Sequence, residues 1–238
     1  MQRGRDLTFR SGPRSFAIRS IVAPGGGGGE ACLAIGLTLA VLVAQFANIS
    51  GGIFNPAVAV ALFLRGKLGV VKLVASAAAE MGGGLVGGML AVYLNRTDTP
   101  APVCPGAGAG YSSWDVALAE GVATFFLCLT VLNMATSSKT AGNSTGACGL
   151  MIGLSVTAGA YAIGHVSGGS LNPAVTFGLC GSAGEWGGAQ WYAFLLPQLV
   201  GAVAAVKVYV LAHLNSREDY SDVKMMKSYE KMMPAMFA

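Results

Sequence analysis

The chain has 238 residues, of which 53% are hydrophobic and only 11% are charged, and its formal net charge is +4. A soluble globular domain of this length needs a larger polar surface, so the composition excludes one and favours a protein that is solvated by lipid. The basic residues lie in loops and at the chain ends, and they form no patch interleaved with stacking aromatic residues, which argues against nucleic-acid binding.

The two ends of the chain differ from its middle. Residues 1–29 carry five arginines against one acid and finish in a run of glycines. We predict that they form an Arg- and Gly-rich, disordered N-terminal arm. An organelle presequence, a cytoplasmic tail or an artefact of the gene model all fit this composition. Residues 30–214 are predicted to form the membrane domain, and residues 215–238 a cytoplasmic tail.

Five apolar stretches approach the roughly 20 residues that an α-helix needs to cross a bilayer. Glycines inside them, such as Gly82–Gly84, predict helices that pack closely. The sequence therefore predicts an all-α, multi-pass membrane protein with five clear spans, and it leaves the identity of the membrane open. The stretches are Ala31–Ile49, Leu73–Leu94, Val116–Ala135, Gly146–Gly164 and Trp191–Leu214.

Basic and aromatic residues predict how these spans are oriented. Placing Arg65, Lys67 and Lys72 in the cytoplasm puts the tail bases there too, in keeping with the positive-inside rule. Trp114, Trp186 and Trp191 then fall at the outer boundary, where an aromatic belt is expected. In this orientation residues 95–97 form an outward-facing glycosylation sequon.

No pattern in the chain indicates an enzyme. The five cysteines show no metal-ligand or redox spacing, and most lie in apolar stretches, where Cys behaves as a small hydrophobic residue. The sequence has no phosphate-binding loop, no nucleophile elbow and no cluster of metal ligands. We therefore expect no catalytic residues, no metal and no cofactor.

An internal repeat is the most informative feature of the sequence. Residues 49–62 read ISGGIFNPAVAVAL and residues 166–179 read VSGGSLNPAVTFGL, identical at eight of fourteen positions. Three predicted spans separate the two copies, so they approach the membrane from opposite faces. Such an inverted repeat places the functional site near the middle of the bilayer.

Each copy contains the tripeptide Asn-Pro-Ala, at residues 55–57 and 172–174. Asn is a strong helix N-cap and Pro is favoured at the first helical position, so each tripeptide predicts the start of a helix. About ten residues, roughly 15 Å of helix, separate the first tripeptide from Arg65. Two half-membrane helices would then meet by their positive N-terminal ends and repel cations, while the Asn side chains donate hydrogen bonds to water. For a single tripeptide, capping of a helix in a surface loop is the alternative.

These repeats resemble the paired signature loops of the aquaporin, or major intrinsic protein, family. The resemblance covers about residues 31–214 and includes Glu120 in the third span and Pro197 with Gly201 in the last. It implies a pore with six spans and two half-helices, a homotetramer whose subunits each conduct, and central residues Asn55, Pro56, Ala57, Asn172, Pro173 and Ala174. It also implies that Glu120 supports the second loop.

The resemblance further implies a selectivity filter on the outer side of the two asparagines. Counted onto this chain, its four positions are Ile35, Ala160, Gly169 and Val175. Most water-selective members carry Arg where this chain has Val175, so we expect a wide, apolar filter that also passes urea, ammonia, glycerol or hydrogen peroxide. The alternative is that a neighbouring side chain fills the space and keeps the filter narrow.

The chain departs from the family in two places. One span precedes the first signature loop where the family has two, so we expect five spans instead of six, with the first helix and its buried acid missing. Glu80 stands where the family more often has Gln, and a packing role is favoured there over a proton relay.

Three functions follow as alternatives: a passive channel for water and small neutral solutes, a non-conducting or truncated protein of the same fold, and a carrier built on inverted repeats. Carriers usually place charged groups at mid-membrane, where this chain offers two amides, so the channel is preferred.

Overall fold

The computed structural model describes residues 29–94, 104–137, 140, 144–184 and 191–213, and these ranges contain seven α-helices and no strand. Five helices are long and apolar enough to cross a membrane, and two are short. The predicted all-α membrane fold is confirmed, and each span ends within three residues of its expected limits. In chain order the helices are α1 (Gly29–Ser50), α2 (Pro56–Leu64), α3 (Val70–Leu94), α4 (Ser113–Thr136), α5 (Thr145–Ser167), α6 (Pro173–Ser182) and α7 (Trp191–His213).

Some sequence predictions concern residues outside these ranges. They are the arm before residue 29, the sequon at 95–97, the boundary residue Trp186 and the tail after residue 213. Trp114 is described, and its side chain is 85% exposed at the start of α4, as a residue of an aromatic belt would be.

Local capping fixes where several helices begin. Ser112 and Asp115 form a capping box before α4: the Ser112 side chain accepts from the Asp115 amide at 3.3 Å, and the Asp115 carboxylate accepts from the Ser112 amide at 2.7 Å. Ser144 caps α5 by accepting from the Ala147 amide at 3.2 Å. These polar caps lie at helix ends, outside the apolar spans, and so delimit the membrane segments.

The internal repeat of the sequence is also a repeat of the fold, because α1, α2 and α3 correspond to α5, α6 and α7. The equivalent helices α1 and α5 pack against each other along their length. Gly36 of α1 faces Gly153 of α5, and each lies nineteen residues before its signature asparagine. A methyl group on either glycine would overlap the backbone oxygen of the other, so only glycine permits this approach.

Helix α4 has no counterpart among the helices that the structure describes. It packs on α7 and α5, with Gly201 of α7 lying against the Gly121 carbonyl of α4. The equivalent face of α3 carries Gly83 and Gly87, and no described atom lies within 4 Å of the position that a Cβ would take on either. Among the residues that the structure describes, the two halves therefore share their signature loops but differ in what packs behind them.

The structure contains a disulfide that the sequence analysis did not predict, since it expected most of the five cysteines to act as small apolar residues. Cys104, ahead of α4, and Cys180, near the end of α6, form a disulfide, while Cys32, Cys128 and Cys148 are free. Their spacing in the sequence carries no disulfide signal. The predicted orientation does, because it places both partners on the outer side of the membrane. The bond joins the segment before α4 to the half-helix that starts at Asn172.

Candidate functional site

The two short helices begin in the same way. Asn55 has φ −153° and ψ 116° and caps α2, where its Oδ1 accepts from the Ala57 amide at 3.0 Å. Asn172 has φ −152° and ψ 114° and caps α6, where its Oδ1 accepts from the Ala174 amide at 2.9 Å. In both helices Pro follows the cap and fills the first position, which needs no amide donor. The backbone of one signature loop is thus repeated in the other.

Each asparagine also binds the opposite loop. Asn55 Nδ2 donates to the Leu171 carbonyl at 2.8 Å, and Asn172 Nδ2 donates to the Phe54 carbonyl at 2.9 Å. Leu171 and Phe54 are the residues directly before the two asparagines, so the bonds are reciprocal. They hold the N-terminal ends of α2 and α6 side by side. An amide NH₂ group has two hydrogens, so each asparagine retains one further donor.

Paired glycines allow the chain to turn from a membrane span into each loop. Gly51 and Gly52 have φ of 97° and 62°, and Gly168 and Gly169 have φ of 90° and 67°. These left-handed conformations carry little cost only for glycine. A Cβ on Gly169 would also lie 3.1 Å from Cα of Ala160, so the second loop runs directly over α5.

A buried acid supports the second loop. The Glu120 side chain, on α4, is fully buried and accepts four hydrogen bonds. One oxygen accepts from Ser167 Oγ at 2.7 Å and from the Ser170 amide at 2.9 Å, and the other accepts from the Leu171 amide at 2.8 Å. Burial of a carboxylate in the membrane is tolerated because these bonds replace water. Glu120 therefore fixes the backbone just before Asn172.

Sequence reasoning missed the fourth partner of this acid. Gln198 of α7 is fully buried, and its Nε2 donates to Glu120 at 2.9 Å and to Ser170 Oγ at 2.8 Å. Ser170 Oγ also shares a hydrogen bond of 2.6 Å with Thr176 Oγ1 of α6. The signal that could have revealed Gln198 is an amide in the middle of a largely apolar span, since polar residues at that depth usually have a structural or functional partner.

A cavity of about 740 Å³ lies against both loops. Asn55 and Asn172 line it, together with backbone of the first loop and with Lys67 and Lys72. Most of its remaining wall is apolar. The cavity wall is thus mostly apolar, and its polar residues include the two asparagines and the two lysines. Such a wall suits the passage of small polar molecules rather than catalysis.

The four residues of the implied filter fall into two groups. Ile35 and Val175 line the same cavity as the two asparagines. Ala160 is buried and lies against Gly169, as described above. Proline and alanine of both tripeptides form the first turns of α2 and α6, and Ala57 and Ala174 are buried there. Within the described ranges, no group of three or more His, Cys, Asp or Glu residues could hold a metal ion.

The family model described as Major intrinsic protein matches residues 19–209, with a second match over residues 143–236. This chain belongs to the major intrinsic protein family. A rice protein (Oryza sativa subsp. japonica), "Probable aquaporin TIP1-2", is 36% identical over 187 residues, or 79% of this chain and 72% of that protein. "Aquaporin AqpM" of Methanothermobacter marburgensis is 32% identical over 188 residues, or 74% of each chain.

Other similarities of this major intrinsic protein are more distant or less complete. Bovine aquaporin-4 is 34% identical over 182 residues, which are 74% of this chain but 54% of the bovine protein. The solved structure of the aquaglyceroporin from Plasmodium falciparum superimposes with a TM-score of 0.72 at 20% identity, covering 84% of this chain and 90% of that one. That similarity establishes the fold. As a member of this family of channels, the protein is a multi-pass membrane channel.

Proposed function

We propose that this major intrinsic protein is a passive channel that conducts water and small neutral solutes past Asn55 and Asn172. The observation that carries the proposal is the reciprocal pair of hydrogen bonds from these two asparagines to Leu171 and Phe54. Because of it, the N-terminal ends of both half-helices and two spare amide donors meet at one point on the cavity wall.

Charge at this point explains selection against ions. Each half-helix carries roughly half a positive charge at its N-terminal end, and the two ends lie together. A cation or a proton in the passage meets this field, whereas a water molecule accepts a hydrogen bond from either asparagine. Carbonyl groups of the preceding loops provide acceptors for the next molecules in the file. Neutral molecules are therefore favoured over cations of the same size.

The filter residues support the solute range that we propose. Val175 contributes no charge and no donor to the cavity that it lines with Ile35. Gly169 and Ala160 add only a hydrogen atom and a methyl group at the other two positions. A filter of this composition is wide and apolar, so urea, ammonia, glycerol and hydrogen peroxide are proposed permeants besides water.

We also propose that the channel works as a homotetramer in the bilayer, as the family resemblance implies. Many large apolar side chains on the outer faces of the helices are exposed, among them Val71, Val86, Leu118 and Leu196. Such faces are covered by lipid or by neighbouring subunits. Native mass spectrometry in a mild detergent separates a tetramer from a monomer.

The test of the solute range is light scattering of proteoliposomes that contain the purified chain. Vesicles loaded in isotonic buffer are mixed with each solute in turn, and the swelling that follows the initial shrinkage reports solute entry. We expect entry of urea and glycerol well above that of protein-free vesicles. A channel that passes water but excludes every solute would refute the wide filter, and the absence of both fluxes would favour a non-conducting protein.

A further inference from the structure

Glu80 of α3 is a half-buried acid to which the proposed pore assigns no role. Both of its carboxylate oxygens are buried and have no hydrogen-bond partner among the described residues. Glu120 of α4, by contrast, accepts four hydrogen bonds. A carboxylate without partners in such a place costs several kcal/mol. A partner at this position is therefore expected.

The internal repeat shows where Glu80 lies relative to the second half. Glu80 follows Asn55 by 25 residues, and Gln198 follows Asn172 by 26, each on the helix after its half-helix. Gly84, four residues after Glu80, packs against the Ala174 carbonyl of α6. Ala202, four residues after Gln198, lies in the same core cluster as Ala57 of α2. Ala57 and Ala174 are themselves equivalent.

Glu80 is thus the counterpart of Gln198, with one chemical difference. Gln198 donates to Glu120, so an amide suits a site that already contains an acid. Ionised Glu80 can only accept, so it suits a site that offers donors. The first signature loop offers them, because α2, which begins directly after Asn55, packs against α3, which carries Glu80. The backbone amide of Asn55 is the loop donor next to the Glu80 carboxylate.

We propose that Glu80 is the positioning residue of the first signature loop: its carboxylate accepts from the loop amides at Asn55, as Glu120 accepts from those of the second loop. Within the part of the chain that the structure describes, each half then has one carboxylate behind its loop. In the second half it comes from α4, and in the first half it comes from α3. The consequence of this hydrogen bond for conduction rests on the proposed function. The hydrogen bond itself can be tested without measuring flux.

Hydrogen–deuterium exchange of the purified full chain tests the bond directly. In the variant Glu80→Met, which keeps the volume but has no acceptor, peptides covering residues 51–57 should exchange about tenfold faster, while those covering 168–174 stay unchanged. Glu120→Met is the matched control and should show the opposite pattern. Glu80→Gln keeps one acceptor oxygen and should restore most of the protection of residues 51–57.

The outcomes separate positioning from general stability and from conduction. Unchanged exchange at residues 51–57 in Glu80→Met would overturn the proposal, and so would equally fast exchange in Glu80→Gln and Glu80→Met. If Glu80→Met fails to fold, the comparison of Glu80→Gln with wild type decides: strong protection of the first loop supports the role, and its loss refutes it. A wild type without water flux would overturn the channel function and leave the exchange result valid.

Discussion

Asn55 and Asn172 each donate a side-chain hydrogen bond to the carbonyl of the residue before the other, at 2.8 and 2.9 Å. Each asparagine therefore does two things at once, because its oxygen caps its own half-helix and its nitrogen fixes the opposite one. The closed pair couples the two halves of the repeat where the proposed pore is centred. Replacing one member must disturb both loops.

We expect Asn55→Asp to lower water flux and to admit cations. The new carboxylate cannot donate to the Leu171 carbonyl, which loses a bond worth about 1–3 kcal/mol, and its charge offsets the positive field of the half-helix ends. In proteoliposomes, the rate of osmotic shrinkage measures the water flux, and a trapped cation-sensitive dye measures the cation leak. Asn172→Asp should behave alike.

Asn133→Asp is the matched control for this pair. Asn133 lies on α4, and its side chain donates to the Leu129 carbonyl of its own helix at 2.8 Å. The control introduces the same charge without touching the loops. If Asn133→Asp leaks cations as strongly as the loop variants, the central field is not what excludes them.

Val175→Arg should make the filter narrower and positively charged. We expect urea and glycerol flux to fall about tenfold, which corresponds to a barrier raised by about 1.4 kcal/mol, and water flux to fall less. Val175→Leu adds apolar volume alone and serves as the control. Equal loss of solute flux in both variants would assign the effect to size rather than to charge.

Gln198→Leu should destabilise the second loop. The substitution removes the donor to Glu120 and to Ser170 Oγ, so we expect a loss of about 1–3 kcal/mol, and a fall in melting temperature of several degrees in a detergent unfolding assay. Replacement of the neighbouring Leu199 by Met is the control. A melting temperature equal to that of wild type would show that the amide does not support the loop.

The disulfide predicts both a chemical and a thermal result. Without reductant, Cys104 and Cys180 should resist alkylation, and digestion should yield one linked peptide. Cys104→Ser should cost about 2–4 kcal/mol of stability, because the bond restricts the unfolded chain. Cys148→Ser is the control, since Cys148 is free. Labelling of both outer cysteines in the unreduced wild type would contradict the pairing.

The fold was largely predictable because hydropathy and length determine a membrane span, and because a repeated Asn-Pro-Ala fixes a helix start by capping. The five spans and two half-helices follow from these local rules. The proximity of Asn55 and Asn172 was predictable only through the inverted orientation of the repeat, which the odd number of intervening spans supplied. Their reciprocal hydrogen bonds to Phe54 and Leu171 could not be predicted from the sequence, because every residue has a backbone carbonyl and nothing in the sequence shows which one is bound.

Other features depend on contacts between distant segments. The bonds from Gln198 to Glu120 and from Cys104 to Cys180 join residues 78 and 76 positions apart. No periodicity connects such positions, because each helix is apolar around most of its circumference and its rotation is set by packing. The surroundings of Glu80 and Gln198 were unpredictable for the same reason. In the sequence alone, both are polar residues in similar apolar spans.

The most direct test of the passive channel combines water flux with a proton gradient. Proteoliposomes containing the wild-type chain and a trapped pH dye are mixed with a hyperosmotic buffer of different pH in a stopped-flow instrument. We predict shrinkage much faster than that of protein-free vesicles, with the internal pH unchanged on that timescale, because the joined half-helix ends at Asn55 and Asn172 repel protons. Shrinkage no faster than in protein-free vesicles, or a collapse of the pH difference together with the water flux, would contradict the account.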